Sequence, residues 1–88
     1  MLLTIFSKNL DHFELFNKIL NNLQQNSLLL IQDGVYFGLN INNNTNNIYA
    51  LKPDVIIRGL INYPANIKLI NYHEFVTLII EHNKNVTY

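Results

Sequence analysis

The chain has 88 residues, a formal net charge of zero and no Cys. A chain of this length forms one domain with a modest core, and the lack of Cys excludes thiolate catalysis, persulfide carriage and Cys-ligated zinc. Arg58 is the only Arg in a weakly charged sequence, so no basic patch supports direct binding to nucleic acid.

The distribution of apolar residues limits where the protein acts. No apolar run approaches the about 20 residues that span a bilayer. Residues 1–6 lack the basic start and long apolar core of a signal peptide. We therefore expect a cytoplasmic protein that has no contact with a membrane.

The N-terminal third predicts a strand followed by an amphipathic helix. Residues 2–6 form a short apolar run, and Ser7 or Asn9 can cap the helix after it. Leu15 and Ile19 widen the apolar arc of that helix, and we expect part of this excess to face a partner. The core-facing side chains recur at helical spacing and are Phe13, Phe16, Leu20 and Leu23.

The second predicted strand carries the most informative polar turn in the chain. Residues 27–32 are apolar for most of their length, which is typical of a strand buried on both faces. Gln32, Asp33 and Gly34 then fall at its carboxyl end, where open α/β sheets place their working residues. Residues 35–39 predict a short helix, and the Asn-rich residues 40–47 predict a mobile, exposed loop.

The next unit is a strand over residues 48–51 and a helix that begins at Lys52-Pro53-Asp54. Pro suits the first helical turn, and Asp there complements the helix dipole. Gly59 suits the end of this helix. Its apolar residues surround more than one face, so an isolated domain exposes some of them: Val55, Ile56, Ile57, Leu60 and Ile61.

The C-terminal part repeats the pattern. Residues 67–70 predict a fourth strand, and residues 86–88 a short fifth one. A helix lies between them, with Thr77, Glu81 and His82 predicted to face outward. Its predicted buried face consists of Tyr72, Phe75, Val76, Ile79 and Ile80.

The spacing of the strands decides the fold class. Residues 33–47, 52–66 and 71–85 separate consecutive predicted strands, and each connection has 15 residues. A parallel crossover needs at least about 10–12 residues, whereas a hairpin loop needs only about 2–5. We predict an α/β fold: a single-domain, three-layer α/β/α sandwich over residues 1–88, with a mostly parallel sheet of four or five strands. The strand order stays open.

Few residues suggest chemistry. His12, His73 and His82 lack the spacing of three or four residues typical of metal ligands on one helix, so we predict no metal site. Asp33 either caps the helix that follows it or makes a polar contact at a crevice or subunit junction. Arg58 either binds an anion or packs its stem and points its head to water.

The glycines do not form a phosphate-binding loop, because both common phosphate motifs need several closely spaced glycines. The chain has only Gly34, Gly38 and Gly59. We predict no catalytic, cofactor-binding or metal-binding residues. The candidate partner-contact or crevice residues are Asp33, Gly34, Tyr36 and Arg58.

Several segments, taken in order, resemble the DsrH-like (TusB) family of sulfur-relay subunits. The matching pieces are residues 29–35 (LLIQDGV), residues 49–51 (YAL) with Asp54, and residues 58–60 (RGL). Residues 40–47 do not match, and Tyr88 stands where the family often has Trp. A further matching piece contains Ile70, Tyr72, Phe75, Val76, Leu78 and His82.

The resemblance implies a DsrE/F/H-like fold and a non-catalytic subunit without a cofactor. It implies assembly with TusC-like and TusD-like subunits into a heterohexamer of two heterotrimers. Such a complex passes persulfide sulfur, through a TusE-like carrier, toward 2-thiolation of the tRNA wobble uridine. Two alternatives remain: a stand-alone small-molecule or nucleotide-binding α/β module, and a small enzyme that pairs Asp33 with a histidine.

Overall fold

The computed structural model describes residues 2–41 and 47–88, and their strands form one parallel sheet of five. Neighbouring strands follow the order β4-β3-β2-β1-β5. The predicted α/β class with a parallel sheet is therefore confirmed, and the strand order is now defined. The strands are β1 (Leu2–Phe6), β2 (Ser27–Leu30), β3 (Ile48–Leu51), β4 (Lys68–Ile70) and β5 (Lys84–Thr87).

Within the described part of the chain, three α-helices and two 3₁₀ helices connect these strands: α1 (Phe13–Asn21), α2 (Lys52–Ile57), α3 (Tyr72–Glu81), Leu10–His12 and Gln32–Asn40. The predicted short helix after β2 is thus a longer 3₁₀ helix. Residues 42–46 of the predicted Asn-rich loop lie outside the described residues. Ile41, at its start, is buried, so an exposed loop from residue 40 onward is wrong at that position.

The sheet separates two apolar cores. One face of the sheet packs against α1, α2 and the 3₁₀ helix Gln32–Asn40, and the other face packs against α3. The three predicted layers are therefore confirmed. All four residues of β2 are buried, as expected for a strand covered on both faces.

Strand order gives α3 an unusual path. β4 and β5 are the two edges of the sheet, so the chain crosses the whole second face between them. Asn71 starts α3 with a reciprocal cap: its side chain accepts from the Glu74 backbone at 2.8 Å, and the Glu74 carboxylate accepts from the Asn71 backbone at 3.0 Å. This arrangement satisfies two backbone donors at the helix start.

The predicted buried face of α3 is partly wrong. Tyr72, Val76 and Ile80 are exposed, whereas Leu78 is the buried residue of the helix. Phe75 and Ile79 do pack against the core, as predicted. Apolar residues occur almost all round this helix, so the helical spacing fits two neighbouring faces equally well. Which face is buried depends on the direction in which the helix crosses the sheet.

His82 also differs from the prediction that it faces outward. Its Nδ1 lies 2.7 Å from the Leu78 carbonyl oxygen, and its Nε2 lies 2.9 Å from the hydroxyl of buried Ser27. Nδ1 donates to the carbonyl, because a carbonyl only accepts. His82 therefore fastens the end of α3 to β2.

The burial of residues in α1 also differs in part from the prediction. Phe16 and Leu23 are buried as predicted, but Phe13, at the first residue of α1, is 55% exposed. Leu15 and Ile19, for which we expected partly a partner-facing role, pack against the domain's own core. The 3₁₀ helix Leu10–His12 directly precedes α1, so Phe13 stands at the junction of the two helices.

The two capping candidates have separate roles. Asn9 accepts a hydrogen bond from the Asp11 backbone at 3.1 Å and so caps the 3₁₀ helix Leu10–His12. Ser7 instead donates to the Tyr88 carbonyl at 2.6 Å. The Ser7 bond holds the last residue of the chain beside the end of β1.

Candidate functional site

The candidate site lies where two neighbouring parallel strands end. β2 pairs with β3, and each strand runs directly into a helix: Gln32–Asn40 after β2 and Lys52–Ile57 after β3. Because parallel strands end at the same edge of a sheet, the starts of these two helices meet there.

Arg58, just beyond α2, ties the two helices together. Its Nε and Nη2 donate to the same oxygen of Asp33, Oδ1, at 3.1 and 3.0 Å. Its Nη1 donates to the Asp54 carbonyl at 3.2 Å and lies 3.7 Å from Asp54 Oδ1. The expectation that the Arg58 head points to water is therefore wrong.

This contact also bears on the two predicted roles of Asp33. The cap position of the 3₁₀ helix belongs to Ile31, which makes no side-chain cap bond, and the Asp33 carboxylate is instead paired with Arg58. The capping role is wrong. Twenty-five residues separate the two partners, so no local spacing pattern reveals the pair.

Asp54 adds a connection that the sequence analysis missed. Its second oxygen, Oδ2, accepts the backbone N–H of Gln32 at 2.7 Å. Gln32 has φ 50°, in the left-handed region that non-glycine residues rarely occupy. Asp54 therefore lies in the first turn of α2, as predicted, and also holds the turn that ends β2.

The site has an excess of negative charge. It contains two carboxylates and one guanidinium, and the exposed fractions of the side chains are 50% for Asp33, 20% for Arg58 and 13% for Asp54. Such a group accepts hydrogen bonds and pairs with cations. Its side chains are two carboxylates and one guanidinium, with no thiol, hydroxyl or imidazole among them.

Gly34 and Gly38 are required by close packing. A Cβ atom at Gly34 would overlap the Phe6 carbonyl, and one at Gly38 would overlap the Tyr63 hydroxyl. Both positions are filled by protein atoms and cannot cradle a phosphate. Gly59, with φ 65°, follows the end of α2 as predicted.

Two tyrosines flank this region in different ways. The Tyr63 hydroxyl donates to the Val35 carbonyl at 2.7 Å, and burial raises the pKa of Tyr63 far above its usual value. Tyr36 is half-buried. Among the described residues, no hydrogen bond joins it to Asp33, Arg58 or Asp54. Of the four candidates, Asp33 and Arg58 are thus in contact, and Gly34 packs against the Phe6 carbonyl.

Exposed apolar side chains occur on both sides of the sheet. The α2 patch consists of Ile56, Ile57 and Ile61, of which the last two are 79% and 82% exposed, and it surrounds Arg58 in the chain. The α3 stripe consists of Tyr72, Val76 and Ile80, one helical turn apart, on the opposite side of the sheet. Exposed apolar patches of this kind mark interaction surfaces.

Other features of the described residues are modest. A cavity of about 300 Å³ lies between α1 and β1, and a second of about 200 Å³ lies beside α3. Within residues 2–41 and 47–88, no three acidic or His side chains are grouped to hold a metal ion. None of the helices described is long and apolar enough to cross a membrane.

The fold and this site define a small three-layer α/β domain with a polar cluster at the carboxyl edge of its sheet. The chain belongs to the DsrH-like family, since the family model described as DsrH like protein matches residues 12–85. The predicted resemblance is therefore confirmed.

Curated relatives agree with this assignment. Protein TusB of Pectobacterium carotovorum is 37% identical over 70 residues, which cover 70% of this chain and 74% of the relative. Protein TusB of Pectobacterium atrosepticum is 34% identical over 79 residues, covering 80% and 83%. Protein TusB of Yersinia pestis is 33% identical over 72 residues, covering 73% and 76%.

Solved structures share the fold. Protein Tm0979 from Thermotoga maritima has a TM-score of 0.74 and 30% identity, covering 91% of this chain and 92% of its own. The ychN protein from E. coli has a TM-score of 0.76, covering 99% and 97%. At 17% identity, the second likeness concerns the fold alone.

Proposed function

We propose that this chain is a non-catalytic subunit of a TusBCD-type sulfur-relay complex. In this proposal it assembles with TusC-like and TusD-like chains as a dimer of heterotrimers, and a TusE-like carrier takes sulfur from the complex. The sulfur goes to 2-thiolation of the tRNA wobble uridine. The chain works in the cytoplasm, where its tRNA product is made. The observation that carries the proposal is its similarity to proteins named TusB over most of its length.

The chemistry of the chain supports a non-catalytic role. A sulfur relay moves a sulfane sulfur from one cysteine persulfide to another thiolate, and this sequence contains no Cys. The polar cluster of Asp33, Arg58 and Asp54 contains no thiol that could take its place. The partner subunits therefore carry the sulfur.

The surface supports assembly. The α2 patch and the α3 stripe lie on opposite sides of the sheet, so two different neighbours can cover them at the same time. Asp33 is half exposed and pairs with Arg58, the residue that follows α2. A neighbour that covers the α2 patch therefore meets a carboxylate as well as an apolar surface. Mixtures of apolar centre and polar rim are typical of subunit interfaces.

A sulfur-labelling experiment tests the division of labour. We would purify the three chains together, load the complex with ³⁵S from an upstream persulfide donor, and separate the subunits under non-reducing, denaturing conditions. We expect label on the TusD-like chain and none on this one. Reductant-sensitive label on this chain would contradict a non-catalytic role.

A cellular assay tests the surface. In cells that depend on this chain for 2-thiouridine, Ile57→Lys should lower the thiolated fraction of tRNA, because it places a charge in the α2 patch. Asn17→Lys, which adds the same charge to an exposed position of α1, is the matched control and should behave as wild type. Equal thiolation with both variants would exclude the α2 patch from the interface.

One observation favours the alternative of a stand-alone binding module. The cavity of about 300 Å³ beside α1 lies at the lower limit of small-molecule pockets, about 300–1,000 Å³. Ligand screening of the isolated chain by chemical-shift perturbation tests it. Saturable shifts confined to Leu15, Ile19 and Asn22, which line the cavity, would support this second function.

A further inference from the structure

The cavity of about 300 Å³ between α1 and β1 contains a polar side chain that the fold itself does not use. Thr4 lies in the middle of β1, is only 5% exposed and lines this cavity. Its neighbours Leu3 and Ile5 belong to the core on the α3 side of the sheet, and successive side chains of a strand alternate between its two faces. The Thr4 side chain therefore points to the α1 side, into the cavity.

The Thr4 hydroxyl is unpaired in the fold. Within residues 2–41 and 47–88, no hydrogen bond involves this hydroxyl, whereas the hydroxyl of Ser27, which is equally buried, lies 2.9 Å from His82 Nε2. Buried polar groups of proteins are normally hydrogen-bonded, and each exception calls for an explanation. The free hydroxyl in a cavity of this size indicates an occupant that forms a hydrogen bond.

The remaining polar groups of the cavity favour an anionic acceptor. Asn26 Oδ1 accepts the Leu2 backbone N–H at 3.2 Å, which leaves its Nδ2 as a donor. Asn22 uses its Nδ2 for the Lys18 carbonyl at 2.8 Å and leaves an oxygen. Lys18 is the only charged residue that lines the cavity, and in the described part of the chain it forms no ion pair. Hydrogen bonds between an ammonium and a carboxylate are among the strong ones.

We propose that this cavity binds a short aliphatic carboxylate. Leu15 and Ile19 line the cavity and take the aliphatic tail, whose burial favours binding. The hydroxyl of Thr4, the Nδ2 of Asn26 and the ammonium of Lys18 supply the donors for the carboxylate. A volume at the lower limit of small-molecule pockets, about 300–1,000 Å³, restricts the tail to a short chain.

This inference goes beyond the relay function and applies to a relay subunit as well as to a stand-alone module. The residues of the α2 patch and the α3 stripe, which we assign to neighbouring subunits, are not among those that line the cavity. Assembly through those two surfaces and binding in the cavity therefore use different residues, and they can be tested separately.

A pair of ligands tests the charge without any variant. Isocaproate and its neutral amide, isocaproamide, have nearly the same shape and differ in the anionic group. We would titrate each into the purified chain and follow the backbone amide shifts by NMR. We expect saturable shifts at the cavity residues with isocaproate and about tenfold weaker binding of isocaproamide. Equal affinity for both ligands, or no saturable binding of isocaproate, would overturn the inference.

A pair of variants tests the two donors. Thr4→Val replaces the hydroxyl with a methyl group. Because this hydroxyl has no partner in the fold, the variant should keep or raise Tm while it weakens isocaproate binding about fivefold, the effect of one net hydrogen bond. Lys18→Gln should weaken binding about tenfold. The matched controls Thr77→Val and Lys52→Gln change exposed residues that do not line the cavity and should bind as wild type.

The outcomes separate this site from its alternatives. Unchanged binding by Thr4→Val would show that the hydroxyl contacts only water, and a lower Tm of this variant would show that it supports the fold; either result would overturn the inference. A chain that binds isocaproate but does not assemble with TusC-like and TusD-like subunits would contradict the proposed function and support the site. A chain that assembles but does not bind isocaproate would do the reverse.

Discussion

Replacing Arg58 with Met removes the guanidinium that joins α2 to the turn after β2, while the apolar stem remains. Arg58 donates three hydrogen bonds, two to the Asp33 carboxylate and one to the Asp54 carbonyl. Hydrogen bonds to charged groups contribute about 1.5–3 kcal/mol each. Exposed ion pairs contribute only about 0.2–1 kcal/mol, and Asp33 is half exposed.

The number of hydrogen bonds raises the expected loss, and the exposure of Asp33 lowers it. We therefore expect Arg58→Met to lower the free energy of unfolding by about 2 kcal/mol. In a chain of this size, about 1 kcal/mol changes Tm by ~4–8 °C, so the expected decrease is ~8–16 °C. Urea unfolding of the purified chain measures the free energy, and differential scanning calorimetry measures Tm.

A double-mutant cycle separates the partners. The coupling between Arg58→Met and Asp33→Asn should be about 0.5–1 kcal/mol and should fall with added salt. The coupling between Arg58→Met and Asp54→Asn should be only about 0.3–0.5 kcal/mol, because Arg58 hydrogen-bonds the Asp54 main-chain carbonyl and the two side chains form an i,i+4 pair at 3.7 Å. A loss below about 0.5 kcal/mol for Arg58→Met, the range of ordinary surface substitutions, would refute the reasoning.

Three further predictions concern the supporting structure. Gly34→Ala collides with a backbone carbonyl and should cost about 3 kcal/mol or more, whereas Gly59→Ala meets open space at φ 65° and should cost only about 1 kcal/mol in chemical unfolding. Tyr63→Phe should cost about 1 kcal/mol at neutral pH. Because folding raises the pKa of Tyr63, wild type should lose this advantage as pH rises above about 10, and a constant advantage there would contradict it. His82→Leu should leave the Ser27 hydroxyl unpaired at a cost of about 1–3 kcal/mol, part of which Ser27→Ala should restore in the double variant; a double variant less stable than the single one would exclude this pairing.

The fold was largely predictable because its determinants are local. Connections long enough for helical crossovers indicated a parallel sheet, and Pro53 and Gly59 marked the limits of α2. The order of the strands was not predictable. It depends on which edge of the sheet β5 joins after the chain has crossed the second face of the sheet. The buried side of α3 was not predictable either, because apolar residues such as Tyr72 and Leu78 fit more than one helix face.

The candidate site was predictable only in outline. Asp33 stands out in the sequence because polar residues at the carboxyl end of a buried strand commonly work in α/β folds, and Arg58 stands out because it is the only Arg. Their contact spans 25 residues, so it follows from the pairing of β2 with β3 rather than from any motif. The left-handed backbone conformation of Gln32 was not predictable from the sequence. Gly34, two residues later, is the residue of this segment that normally indicates a turn.

The native mass of the assembled complex tests the central claim most directly. The chain would be co-expressed with the TusC-like and TusD-like chains of the same genome, purified by a tag on one partner, and weighed by native mass spectrometry. The account predicts a species that contains two copies of each of the three chains. Recovery of this chain only as a monodisperse monomer, while its partners assemble without it, would contradict the account.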